Sequence, residues 1–260
     1  MTRKLAIVTG ASTGIGFELA HLAAQNGYDL IVVADEALIE AAAQDFRSHS
    51  TDVEAIEADL ATIEGVDQLL AAIKGRPVEL LCANAGHGLG HGFLDQDVAD
   101  WRHVIDTNIT GTLYLLQKVL KEMVARDSGK VLVTGSIAGY IPGSFQAVYN
   151  GSKAFIDSFT DALRNEIKDS KGVTLTTLMP GPTDTEFFDR AEMMDTKVGT
   201  DKKDDPAKVA RDGWDALMDG KGHIISGWQN KLQVAAAHVT PASIMAEQHR
   251  NLAEPGTAKE

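Results

Sequence analysis

The sequence predicts one doubly wound α/β domain, a parallel sheet covered by helices on both faces. Two observations carry this expectation. Short apolar, β-branched runs alternate with helix-spaced stretches from residue 5 to about residue 226, and a glycine-rich turn follows the first run directly. Strands buried on both faces of a parallel sheet read as near-continuous apolar runs, whereas half-solvated strands alternate. A closed eight-stranded βα barrel would share the alternation, but a glycine turn between first strand and first helix favours the open sheet.

Taken in order, strands are expected over 5–9, 30–34, 53–57, 78–83, 130–134, 173–179 and 223–226. Helical spacing appears between them, over 17–25, 38–47, 66–73, 104–124 and 155–167. No internal repeat or long Pro/Ser/Gly linker interrupts the series, so residues 1–260 read as a single domain. One segment breaks the rhythm. Residues 180–205 are polar and charged yet carry Phe187, Phe188, Met193 and Met194. Exposing four large apolar side chains together is unfavourable. The segment is therefore expected to be a substrate lid, with Phe187, Phe188 and Met193 as substrate contacts, or to pack on the body or a partner. Residues 228–260 read as an amphipathic helical tail broken at Pro241, ending in a polar stretch, 255–260, expected to fray.

Composition narrows the roles. Lys plus Arg number 24 and Asp plus Glu 37, a formal net charge of −13, which repels phosphate backbones and anionic lipid surfaces. Hydrophobic residues make up 44%, enough for a substantial core. The single cysteine, Cys82, cannot form an internal disulfide and reads as a small core residue, as suits a reducing cytoplasm. The apolar run behind Met1-Thr-Arg-Lys is too short for a signal core or a membrane span. A cytoplasmic protein acting on a small molecule, without nucleic acid or membrane partners, is the expectation.

The turn itself is Thr9-Gly10-Ala11-Ser12-Thr13-Gly14-Ile15-Gly16, spaced GxxxGxG. Glycines permit a tight turn and let backbone amides and the positive end of the next helix approach a pyrophosphate. Gly10, Ser12, Thr13, Gly14, Ile15 and Gly16 are thus candidate dinucleotide contacts. Asp35 closes the second strand, 19 residues after Gly16. A carboxylate there accepts hydrogen bonds from the adenosine ribose hydroxyls and repels a 2′-phosphate, which selects NAD over NADP. Glu36 adds negative charge, and no cation is evident nearby in the sequence.

With Asp59-Leu60, Asn84-Ala85-Gly86, Asn108, Ser136, Tyr149-x-x-x-Lys153 and Pro180-Gly181 following in that order, the chain resembles the single-domain branch, roughly 250 residues long, of the short-chain dehydrogenase/reductase family. The resemblance covers about residues 5–226. It implies a Rossmann-type sheet, a nicotinamide dinucleotide that Asp35 makes NAD, and oxidoreduction of an alcohol or ketone. It makes Asn108, Ser136, Tyr149 and Lys153 the catalytic set, with Asn108 at a helix kink. It also implies that Asp59 and Leu60 flank the adenine, that Asn84, Ala85 and Gly86 line the cofactor, and that Pro180, Gly181, Thr183 and Thr185 border its nicotinamide end. Tyr149 and Lys153 would touch the cofactor as well. The chemistry is sound from the residues up. Tyr149 and Lys153, four apart on a helix, share a face, and an ammonium beside a phenol favours its ionised form. Tyr149 then exchanges a proton with the substrate oxygen that the Ser136 hydroxyl holds. Family members commonly assemble through the helices carrying Asn108 and Tyr149, so a homodimer or homotetramer is expected.

His87 and His91 lie four apart among glycines, where a helix, and hence a metal pair, is not expected. No metal is anticipated, and His87 reads as a loop residue able to face substrate. Two other readings stand beside the main one: a non-catalytic dinucleotide sensor on the same fold, and an NADP-dependent ketoacyl-type reductase, against which Asp35 argues.

Overall fold

The structure, a computed structural model, describes residues 3–258. Seven strands, β1 (Leu5–Thr9), β2 (Asp29–Ala34), β3 (Val53–Glu57), β4 (Val78–Ala83), β5 (Gly129–Thr134), β6 (Val173–Met179) and β7 (His223–Ile225), form one parallel sheet ordered β3-β2-β1-β4-β5-β6-β7. The order reverses direction between β1 and β4. The loops leaving the carboxyl ends of those two strands diverge there and open a crevice.

Side-chain alternation along each strand divides the core into two layers. Ala6 and Val8 of β1 face one side with Val32, Cys82, Leu132 and Leu178. They pack on α1 (Gly14–Gln25), α2 (Leu38–Arg47) and α9 (Pro206–Met218), through Leu19, Phe46 and Trp214 among others. Leu5 and Ile7 face the opposite side with Ile31, Val33, Leu81 and Val133. There they meet α3 (Ile63–Ala72) and α5 (Thr112–Ala125), through Leu69, Leu116 and Met123, and Ile156 of α6 (Ala147–Glu166). Each central strand is thus apolar on both faces, which is why the strands read as unbroken runs. Cys82 is fully enclosed, and burial pushes its thiol up to about 12, so it serves as a core side chain.

The stretch expected as one helix over 104–124 is three elements. A helix α4 (Val98–Ile105) runs into a π-helical segment, Asp106–Gly111, before α5 begins. Single π turns are frequent at functional sites, and this one sets Asn108 between the loop after β4 and α6, just behind the crevice wall. The helix expected over 155–167 starts earlier, at Ala147, and so includes Tyr149 and Lys153.

The 180–205 segment is ordered around α7 (Phe187–Arg190) and α8 (Lys197–Thr200), and Thr183 bridges Asp204 at its base. The chain ends in α10 (Trp228–Ala237) and α11 (Ala242–Ala253), broken at Pro241 as expected. The fraying expected at the terminus is corrected by its contacts. Ala258 and Gly256 donate backbone N–H bonds to the Asp195 carbonyl (2.9 Å) and carboxylate (3.0 Å), and Lys197 N–H donates to Thr257 Oγ1 at 3.0 Å. Ala253 is enclosed with Phe188, Ala191 and Met193. A polar composition marked the tail as solvent-facing, but its backbone groups find partners in the lid. Residues 259–260 lie outside the described residues. Among the described residues, no helix is long and apolar enough to cross a membrane.

The terminus therefore staples the 180–205 segment. Deleting residues 255–260 removes these three bonds, each worth about 0.5–1.5 kcal/mol net. Limited proteolysis is expected to cleave the truncated protein within 186–200 several-fold faster than the full chain. Equal rates would show that the lid does not depend on the terminus.

Candidate active site

The residues following β1 to β6 converge on one cleft along the carboxyl edge of the sheet. Gly10, Ser12, Thr13, Gly14 and Ile15 line it after β1, Asp35 after β2, and Asp59 and Leu60 after β3. Asn84, Ala85, Gly86 and His87 follow β4, Ser136 follows β5, and Pro180, Gly181, Thr183 and Thr185 follow β6. Tyr149 and Lys153 project in from α6.

The glycine turn is built to admit backbone and nothing larger. Gly10 and Gly14 adopt φ of +62° and +59°, where an L side chain is strained. Gly16 does not line the cleft wall itself. A Cβ there would lie 2.0 Å from the Gly10 carbonyl oxygen, so glycine is required for the turn to close onto α1. At the N-terminus of α1, Thr13 makes no side-chain cap and the first turn has no acidic residue. Its free amides and positive dipole suit a pyrophosphate. Asn84 braces this turn more than it lines the cleft. Its Nδ2 donates to the Thr9 and Gly10 carbonyls at 3.2 and 3.3 Å, and its Oδ1 accepts from the Thr134 hydroxyl at 3.0 Å. The Thr9 hydroxyl in turn accepts from the amides of Asn84 and Ala85, both at 2.9 Å.

At the β2 end Asp35 is exposed at the cleft. Asp59 is also exposed there. Beside Asp35 the sequence had shown no cation, and here the structure corrects it. Arg190 of α7 crosses the cleft to Glu36 at 2.6 Å while also holding Glu186 at 2.6 Å. The Ser12 hydroxyl donates to the same Glu36 oxygen at 2.5 Å. The hydroxyl and the guanidinium hold the Glu36 carboxyl below its ordinary range, outweighing its partial burial. No local pattern marks this contact, since its partners are 154 positions apart.

At the opposite end Ser136, Tyr149 and Lys153 stand together. Burial pushes the Tyr149 phenol up to about 12, while hydrogen bonding with the Ser136 hydroxyl pulls the other way. The Lys153 ammonium donates to the Thr134 carbonyl at 2.8 Å and lies 5.9 Å from the Tyr149 ring centroid. Burial makes Lys153 a stronger acid than usual. Asn108, 2% exposed, accepts from the His87 amide at 2.7 Å and donates to the His87 carbonyl and the Ser152 hydroxyl, each at 2.9 Å. It is thus committed to holding the loop after β4 against α6, and does not itself line the cleft.

The apolar wall beyond Tyr149 comes from the lid. Phe187 packs 5.0 Å from the Tyr149 ring, and Phe188 lines the cleft behind it. Thr185 sits directly over Gly14. Met193 does not belong here. It is fully buried under Gly90 with Ala191 and Ala253, so the substrate contact expected for it is replaced by a packing role. Its flexible chain fills the gap between lid and tail. His87 lines the cleft, edge-on to His103 at 5.0 Å, and burial lowers its pKa. His91 turns away to Glu192 at 3.3 Å. Among the described residues no group of three His, Cys, Asp or Glu is placed to hold a metal. Sequence reasoning missed Ile141, Gln146, His249 and Leu252, which close the far end of the cleft.

The family model of the short chain dehydrogenases matches residues 4–195. This chain belongs to that family of oxidoreductases. It is 34% identical over 211 residues to an uncharacterized oxidoreductase of Staphylococcus saprophyticus, covering 80% of this chain and 88% of that one. It is 31% identical over 185 residues to a 3-oxoacyl-[acyl-carrier-protein] reductase of Synechocystis, covering 70% and 74%. In fold it is similar to a Burkholderia phymatum short chain dehydrogenase/reductase solved with NAD (TM-score 0.83, 23% identity, 97% of each chain). A Sphingobium yanoikuyae short-chain dehydrogenase solved with NADPH is also similar (TM-score 0.82, 24% identity, 94% and 96%).

The Asn84 brace yields a direct test. Asn84→Ala leaves the Thr134 hydroxyl and two turn carbonyls short of a partner, at about 1–3 kcal/mol. A fall in Tm of roughly 2–12 °C is expected by differential scanning calorimetry, with weaker binding of dinucleotide. Unchanged Tm and binding would show that the turn holds itself.

Proposed function

We propose that this short-chain dehydrogenase uses NAD(H) to interconvert a secondary alcohol and a ketone, with Tyr149 as the acid and base. The observation that carries the reading is the placement of Ser136, Tyr149 and Lys153 at one end of a cleft whose other end presents Asp35. The glycine turn, the uncapped start of α1 and the carboxylate at Asp35 fit a dinucleotide lacking a 2′-phosphate. The nicotinamide, when bound, supplies or accepts the hydride at the substrate carbon.

The chain's own residues do the rest. Ser136 Oγ holds the substrate oxygen beside the Tyr149 hydroxyl, so that the proton moves over a single hydrogen bond. A phenol pushed to about 12 holds its proton at neutral pH, ready to give it to a ketone. In the oxidative direction it must lose that proton, and the Lys153 ammonium stabilises the phenolate electrostatically. Phe187 and Phe188 exclude water from the reacting carbon. Asn108 fixes the loop after β4, and with it His87, at the mouth of the site.

Arg190 supports a second reading. Were it released from Glu36, its guanidinium could pair with a 2′-phosphate, giving an NADP-dependent reductase like the ketoacyl relatives. Two carboxylates already hold it, and Asp35 stands in the way, so NAD is preferred. A sensor without catalysis has no use for a Ser-Tyr-Lys cluster gathered at one end of the cleft.

Cofactor choice is tested by kcat/KM with NAD and NADP in wild type, Asp35→Ala and Arg190→Ala. Wild type is expected to favour NAD by about tenfold or more, equivalent to ~1.4 kcal/mol. Asp35→Ala is expected to lose NAD efficiency and narrow the gap. A wild-type preference for NADP that disappears in Arg190→Ala would establish the second reading instead.

A further inference from the structure

On α6, one turn beyond Lys153, lies an acidic residue that the proposed chemistry has not used. Asp157 is 7% exposed, and neither of its carboxylate oxygens has a hydrogen-bond partner. The Ser136 backbone N–H leans toward it, short of a well-formed bond. The chain treats another enclosed carboxylate quite differently. Asp29, 8% exposed, is met by Arg76 at 2.9 Å and accepts from the Asp52 amide at 3.3 Å.

The space around Asp157 is shaped to admit it. A Cβ at Gly135 would lie 1.9 Å from one carboxylate oxygen, and a Cβ at Gly139 2.5 Å from the other. These two glycines bracket Ser136 and the turn that presents it. Asp157 therefore sits beneath the Ser136 loop on one side and behind Lys153 on the other. An unpaired carboxylate in such a place is costly. The cation that acts on this carboxylate is the ammonium of Lys153, one turn back on α6.

We infer that Asp157 is a positioning residue of this site, whose carboxylate is the counter-charge that keeps the Lys153 ammonium charged and aimed into the cleft. The inference rests on the reading of Tyr149 and Lys153 given above. Burial pulls the two groups toward neutrality, lowering Lys153 and raising Asp157, while the charge of each opposes that tendency in the other. Titratable groups facing Asp157 are few. On α6 they are Lys153, Tyr149 and Asp161, the last turned outward to Arg164 at 2.6 Å. From the turn after β5 it is Tyr140. β6 contributes the uncharged Thr177, beside Gly135. Asp161 and the two phenols cannot supply positive charge, so the effect of Asp157 falls on Lys153.

The sign follows. Removing the carboxylate leaves the ammonium easier to deprotonate, so its loss is felt at alkaline pH and not at acid pH. Asp157→Asn keeps the shape. NADH binding is measured by fluorescence titration from pH 6 to pH 9.5, together with the pH profile of kcat/KM for an alcohol the wild type oxidises. At pH 6 the variant is expected to bind NADH within about twofold of wild type, and at pH 9 about fivefold or more weakly. The alkaline limb of kcat/KM is expected to move toward acid by at least about 0.5 pH unit. In a Lys153→Met background the same substitution is expected to show no pH-dependent effect on NADH binding. Superimposable pH profiles would overturn the inference, as would a loss equal at every pH accompanied by lower Tm. Failure of the wild type to bind NADH or turn over would instead overturn the functional reading, so the two failures are distinguishable.

Discussion

The cleft depends on one close approach of backbone to backbone, where the turn after β1 folds down onto the start of α1. At Gly16 the Gly10 carbonyl leaves no room for a methyl group, and Asn84 ties the same turn across to Thr134 of β5. Were the turn to open, the amides of α1 would lose their aim, and Thr185, packed over Gly14, would lose its seat. The lid begins at Thr185, whose hydroxyl accepts from the Phe187 amide at 3.2 Å. Phe187 in turn reaches the Tyr149 ring. The glycine-turn end and the Tyr149 end of the cleft are thus set by the same few glycines.

The second constraint is electrostatic. Tyr149, Lys153 and Asp157 occupy successive turns of one face of α6, Tyr149 half-buried at the cleft and the other two buried. Burial alone opposes charge on each of them. A site of this kind responds strongly to a cation or an anion entering it, because little solvent is present to screen the change. At the cofactor end the bookkeeping is reversed, with Glu36 and Glu186 sharing the single guanidinium of Arg190. That bridge links α7 to the loop after β2 across the cleft.

Most of the fold was legible because the central strands are buried on both faces, which made them near-continuous apolar runs. The ends of Leu5–Thr9, Val53–Glu57, Val78–Ala83 and Val173–Met179 could be read directly. The π-helical turn at Asn108 could not, because an apolar period does not record a side-chain amide taking the backbone of His87. The first two turns of α6 were hidden for a related reason. Tyr149 and Lys153 occupy cleft-facing positions there with Asn150, Gly151 and Ser152 between them, so the usual apolar stripe is absent. Phe188 and Met193 look alike in sequence and are enclosed in one cluster with Ala253, yet only Phe188 also reaches the cleft, a difference set by the tertiary placement of α7. Contacts such as Arg190 with Glu36, or the terminus with Asp195, join distant residues and leave no local pattern. The residues read from the motif, from Gly10 to Thr185, do gather at one cleft, with Gly16 and Asn108 acting from just behind its wall.

The central claim is that a single phenol carries the proton in this cleft. Tyr149→Phe removes that hydroxyl and keeps the ring that packs on Phe187. The direct measurement is single-turnover hydride transfer by Tyr149→Phe at saturating NAD(H), with the coenzyme's Kd determined on the same samples. The account predicts a fall in rate of at least about 10²-fold, the lower range of general acid–base contributions, with Kd nearly unchanged. Transfer at the wild-type rate with normal binding would contradict it.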